Sequence, residues 1–204
     1  MNEENNTAEK TKTVEQIKKE AEEKTCAVQK AFYYINEFIS GPMCSRCFPC
    51  ALGTAEARIR LQRLVRHAKD IDEKDIEILK RIGSHMIEGS FCKKGKDTGK
   101  YLAEILSVSG NEFKEHLSGI CPKKECTSLI EYVIKPELCT MCGDCLEVCK
   151  YDAILGEKKV LYRSGYLPFE IRKKRCINCG ECVKVCPTGA IEIVTVSVEE
   201  LVNG

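Results

Sequence analysis

From Thr13, whose hydroxyl suits a helix N-cap, Val14, Ile17, Ala21, Val28, Phe32, Ile35 and Phe38 recur near the helical period until Gly41-Pro42 stops the run. This predicts one amphipathic helix. Thr54 to about Lys69 predicts a second, and the capping-box pattern Asp70-x-x-Glu73 opens a third that runs to about Met86. The glycine-rich stretch GSFCKKGKDTG predicts a turn, followed by a fourth helix over Lys100–Leu106 and a shorter one over Asn111–Leu117. From about Glu131 the period changes. Short β-branched stretches, Tyr132–Ile134, Lys159–Tyr162 and Ile191–Val196, alternate with turns. The expected fold class is α+β: an N-terminal helical bundle followed by a small α+β unit. The expected boundaries are a flexible tail over 1–12, a helical domain over 13–118, a connecting segment over 119–130 and the α+β domain over 131–204.

Composition changes this picture in one respect. With 43% hydrophobic and 31% charged residues and a formal net charge of +1, the 204-residue chain has an ordinary balance and no global field for nucleic acid or membrane. No apolar run approaches a membrane span, and residues 1–12 lack the apolar core of a signal peptide, so a cytoplasmic location is expected. The exception is cysteine, with 15 copies. The odd count, the missing export signal and the many two-residue spacings favour metal ligation over a disulfide framework.

The chain also contains an internal repeat. CTMCGDCLEVCKYDAI from Cys139 and CINCGECVKVCPTGAI from Cys176 align without a gap, each with the spacing of bacterial two-cluster ferredoxins. Three thiolates on a tight loop cover one face of a cubane, and in such folds the fourth cysteine ligates the other cluster. One 4Fe-4S cluster then takes Cys139, Cys142, Cys145 and Cys186; the other takes Cys176, Cys179, Cys182 and Cys149. Zinc at both quartets is the competing reading. Gly143 and Gly180 are expected to let backbone amides approach the cluster sulfurs. Lys150 stands where the second copy has Pro187, and a cation there would raise the potential of the second cluster. The stretch LGEKKVLYRSGYLPFEIRKKR between the copies predicts a hairpin with a basic end.

A third run, Met43-Cys44-Ser45-Arg46-Cys47-Phe48-Pro49-Cys50-Ala51, supplies three ligands and needs a fourth. It resembles the S-C-G-x-C-x-P-C-R motif in the C-terminal iron-sulfur region of the NADH-binding flavoprotein subunit of bacterial respiratory complex I. Relatives of that subunit occur in NAD-linked hydrogenases and formate dehydrogenases. That family places its fourth ligand about forty residues on, after a serine, where this chain has Ser90-Phe91-Cys92. The segment EFKEHLSGICPKKECTSLIEYVI is similar to the one that leads into an appended two-cluster ferredoxin. The resemblance implies a third 4Fe-4S cluster on Cys44, Cys47, Cys50 and Cys92 in the helical domain, and a two-cluster ferredoxin-like domain after it. Met43, Ser45 and Ala51 depart from the motif. The resemblance also implies a flavin- and NADH-binding domain ahead of residue 1. The chain has no G-x-G-x-x-G, and Gly95–Tyr101 (GKDTGKY) fails as a phosphate loop and is expected to be a turn. NADH oxidation is therefore not expected of the chain alone.

Cys26, Cys121 and Cys126 remain, with His116 between them in sequence. One histidine and three cysteines make a structural zinc set, which would pin the bundle to the ferredoxin-like domain. A fourth iron-sulfur cluster and unliganded buried thiols are the alternatives. His67 and His85, on helices without partnered cysteines, are expected to be ordinary structural or surface residues. Arg58, Arg60, Arg63, Arg66 and Lys69 make one helix basic, which reads as a solvated face or a contact with an acidic redox partner. No Ser-His-Asp, paired-carboxylate or H-E-x-x-H arrangement occurs. The expected function is electron relay through three 4Fe-4S clusters, with no catalytic site of the chain's own. The expected partners are a flavin- and NAD(P)-binding subunit or a catalytic oxidoreductase subunit, with ferredoxin as an external carrier. A free-standing polyferredoxin shuttle is the alternative. An iron-sulfur regulator or nucleic-acid protein is the remaining class.

Overall fold

The computed structural model describes residues 12–160 and 165–196. The chain divides into two compact units, Met1–Leu117 and Ser118–Gly204.

The first unit is a helical bundle. Thr13 opens α1 (Val14–Glu22) with a reciprocal cap: its hydroxyl accepts from the Gln16 amide at 3.2 Å, and the Gln16 side chain accepts from the Thr13 amide at 2.8 Å. The single long helix expected here is two. The chain breaks at Cys26, which is extended and serves as N-cap of α2 (Ala27–Ser40). Cys26 makes no side-chain cap bond, and the carboxylate of Glu112 accepts from the Ala27 amide at 2.9 Å instead. The cap comes from a distant helix, so no local signal marks it.

Helix α3 (Phe48–Arg66) begins directly after Cys47, with Pro49 in its first turn, and ends on His67 in a left-handed conformation. Helix α4 (Glu73–Gly89) is capped by Asp72 and Asp75 rather than by the expected Asp70 and Glu73. Asp70 stays outside and pairs with Arg63 at 2.9 Å. Helix α5 (Lys93–Val108) absorbs the stretch Gly95–Tyr101 that was expected to turn. Its glycines permit close packing instead: a Cβ on Gly99 would lie 2.8 Å from the Gly83 carbonyl of α4. Helix α6 (Gly110–Leu117) completes the bundle. Ile35, Phe38, Leu61, Leu79, Leu102 and Phe113 are buried, and the rings of Tyr34 and Tyr101 stack at 3.9 Å.

The basic helix also reads differently in three dimensions. Arg60 and Arg63 turn toward α4 and pair with buried Asp75 at 2.6 and 3.3 Å. These two arginines are internal structure rather than a solvated face.

The second unit is a small α+β fold in the order β1 (Ile130–Ile134), α7 (Asp144–Val148), β2 (Ile154–Leu155), β3 (Glu170–Ile171), α8 (Glu181–Val185) and β4 (Ile191–Thr195). Strands β1 and β4 pair antiparallel from Ile130 with Thr195 to Ile134 with Ile191, and β2 pairs antiparallel with β3. Of the expected strand Lys159–Tyr162, residues 159 and 160 form none and the rest lies outside the described residues. Most of the expected tail, residues 1–11, lies outside them too. The core joins Ile134, Ile154, Phe169 and Ile191 to two cysteines, Cys145 and Cys182.

Candidate iron-sulfur and metal centres

In the bundle, two helix starts bring four cysteines together. Cys47 is the N-cap of α3, Cys50 lies in its first turn, and Cys92 is the N-cap of α5. Neither cap residue uses its side chain on its own helix, so the first-turn N–H groups, which Pro49 lacks, receive no cap bond from Cys47 or Cys92. Ser45, in the left-handed region at φ 56°, turns the loop between Cys44 and Cys47. Thr54 ties that loop down: its one hydroxyl proton is shared between the Cys50 carbonyl at 2.8 Å and the Met43 sulfur at 3.2 Å. Burial first, and then the neighbouring thiols of Cys47, Cys92 and Cys44, push the Cys50 thiol up to about 11. Four thiols crowded so tightly suit a cluster that accepts them as thiolates. The buried Ser90 hydroxyl beside them has no partner within the protein. The residues present therefore fit a cluster.

The sequence repeat of the second unit is also a conformational repeat. Met141 and Asn178, at equivalent positions, are both left-handed, with φ 57° and 55°. Gly143 and Gly180 follow at φ 90° and 77° and cap α7 and α8. Each fourth cysteine sulfur accepts from an amide four residues on: Cys149 from Ala153 and Cys186 from Ala190, both at 3.3 Å. One recess is lined by Cys139, Cys142, Cys145 and Cys186, and another by Cys149, Cys176, Cys179 and Cys182.

Burial, then Cys142, Cys139 and Cys182, push the Cys145 thiol up to about 11; burial, then Cys176 and Cys179, raise that of Cys182. Burial also acts to raise Cys186, but the Thr188 hydroxyl and the amides of Ala190, Thr188 and Gly189 outweigh it and bring the thiol down. Lys150 is exposed. Asn178 holds the second cysteine loop against β1, donating to the Thr127 and Ile130 carbonyls at 2.9 and 2.8 Å.

Cys26 and His116 are buried together in the first unit, with Cys26 Sγ 3.3 Å from His116 Nε2, and Cys121 and Cys126 are buried in the second. His116 Nδ1 sits 2.7 Å from the Glu112 carbonyl, which can only accept, so the proton is on Nδ1 and Nε2 presents its lone pair. His67 Nδ1 lies 3.2 Å from the His116 carbonyl, and His85 is exposed. The positioning residues Thr54, Ser90, Glu112 and Asn178 were not legible as such in the sequence, because each acts through a contact that only the fold creates.

Comparison with known proteins places an iron-sulfur electron-transfer region in this chain. Residues 30–116 match the NADH-ubiquinone oxidoreductase-F iron-sulfur binding region, and residues 138–190 match the 4Fe-4S dicluster domain. The chain therefore joins an oxidoreductase-F type iron-sulfur region to a dicluster ferredoxin domain. It is 29% identical over 139 residues to the NADP-reducing hydrogenase subunit HndC of Solidesulfovibrio fructosivorans, covering 68% of this chain but 28% of that relative's length. No helix among the described residues is long and apolar enough to cross a membrane.

Proposed function

We propose that the chain is an electron-carrying subunit of a multisubunit NAD(P)- or ferredoxin-linked oxidoreductase, relaying single electrons through three 4Fe-4S clusters. The observation that carries this reading is the gathering of twelve cysteines into three quartets, one at the paired starts of α3 and α5 and two in the recesses of the repeat. In the proposed ligation Cys44, Cys47, Cys50 and Cys92 hold the first cluster. Cys139, Cys142, Cys145 and Cys186 hold the second, and Cys176, Cys179, Cys182 and Cys149 the third. The clusters would supply one-electron exchange, while the chain's own residues fix position, exclude water and donate hydrogen bonds to sulfur.

Cys26, His116, Cys121 and Cys126 would hold zinc. Three thiols and one imidazole are a structural zinc set, and the 3.3 Å between Cys26 Sγ and His116 Nε2 suits two ligands of a single tetrahedral ion, whereas a cubane spreads its ligands across four irons. Beside the bundle cysteines, Phe48 and Phe91 are 80% and 86% exposed, which supports a partner on that face, a flavin-bearing subunit in this reading. Purification of the native complex with metal analysis tests the proposal. About twelve irons and one zinc per chain, together with a co-purifying flavoprotein, are expected. A lone species at 22.9 kDa would favour a free shuttle instead.

A further inference from the structure

We propose that the Ser90 hydroxyl donates a hydrogen bond into the iron-sulfur site of Cys44, Cys47, Cys50 and Cys92 and raises the reduction potential there. The inference rests on the three-cluster reading above and adds a tuning residue to it.

Ser90 is 2% exposed, and its Oγ has no partner within the protein. An orphaned buried hydroxyl costs on the order of 1–3 kcal/mol, so an acceptor is expected at that spot. The Tyr101 phenol is likewise without a hydrogen-bond partner, while three aliphatic hydroxyls of the bundle satisfy themselves on the carbonyl four residues back: Ser40 on Asn36, Thr54 on Cys50 and Thr98 on Lys94. Ser90 does not. As the extended C-cap of α4 it donates its amide to the Met86 carbonyl at 3.2 Å, and its side chain turns elsewhere.

Where it turns is fixed by Gly95 in the first turn of α5. A Cβ built on Gly95 would lie 2.7 Å from Ser90 Oγ and 3.4 Å from Cys50 Cβ, so the hydroxyl and the ligand cysteine meet over the same glycine. The nearby carbonyls already have donors, Thr54 on Cys50 and the Lys96 amide on Cys92 at 3.2 Å, and no cysteine sulfur accepts from the Ser90 hydroxyl. The acceptor this proposal assigns is therefore the inorganic sulfide of a bound cluster. A donor to cluster sulfur favours the more negative, reduced state, which sets the sign.

EPR-monitored redox titration of the full chain, with its dicluster signals as internal reference, tests the proposal. Ser90→Ala should shift the reduction equilibrium of the bundle cluster about tenfold toward oxidation, roughly 59 mV more negative for one electron, and leave the other two clusters unchanged. Ser90→Thr and Ser90→Val differ only by hydroxyl against methyl, so this pair reads the bond even where the alanine variant loses its cluster; threonine should titrate near wild type and valine below it. Threonine and valine variants that titrate together would overturn the role of Ser90 and leave the relay reading intact. A wild-type chain with eight irons and no third signal would overturn the relay reading, and this inference with it.

Discussion

The Nε2 atom of His116 lies 3.3 Å from the Sγ of Cys26, with both residues fully buried. Because Nδ1 is committed to the Glu112 carbonyl, Nε2 is the lone-pair face of the ring, the face a metal takes. His116→Ala should therefore remove zinc, from one per chain to none, and lower stability by about 3 kcal/mol or more. Elemental analysis beside thermal unfolding checks both. Retention of zinc in the variant would count against His116 as a ligand.

The recess that holds Cys139, Cys142 and Cys145 is closed by Cys186 from the other copy of the repeat, and Cys149 sits with the opposite triplet. Cys186→Ser should then disturb the cluster of the first copy and spare that of its own. Mössbauer or EPR spectra are expected to show loss of about four irons, one cluster, with the signal of the Cys176, Cys179 and Cys182 triplet kept. The opposite assignment would reverse which signal disappears.

The legible parts of this protein are those written in local spacing. The x2-x2-x3 cysteine runs, the Thr13 cap and the β-branched stretches Tyr132–Ile134 and Ile191–Val196 each state their structure within a few residues. The break at Cys26 was not legible, because Glu112, eighty-five residues away, supplies the bond that starts α2. Gly95 and Gly99 resemble turn residues in sequence, yet they lie inside α5, where a missing side chain lets two helices approach. Arg60 and Arg63 looked like surface charge until α4 brought Asp75 against them.

That last contact carries its own prediction. Asp75 is 2% exposed; it accepts from both arginines and also from the Asp72 amide at 3.1 Å, so one carboxylate joins α3 to the start of α4. Asp75→Ala would strand two partly buried guanidinium groups and open the cap. A loss of about 3–5 kcal/mol is expected in urea unfolding. Exposed Lys74→Ala, on the same helix, should stay within about 0.5 kcal/mol.

Removal of iron should act unequally on the two units. Beside its buried cysteines the bundle has a larger core of aliphatic and aromatic side chains, among them Ile35, Phe38, Leu61, Leu79 and Leu102. Among the described residues the second unit has only two-stranded sheets, and cysteine provides two of the six buried residues in its hydrophobic cluster. Two-stranded pairs are marginal by themselves, and so small a core needs its metal centres as cross-links. Hydrogen exchange measured before and after iron removal should show β1 and β4 losing their protection while α3, α4 and α5 keep most of theirs. An equal loss across both units would mean that the bundle depends on its own cluster as heavily, and that Cys44, Cys47, Cys50 and Cys92 hold the helix starts of α3 and α5 in place.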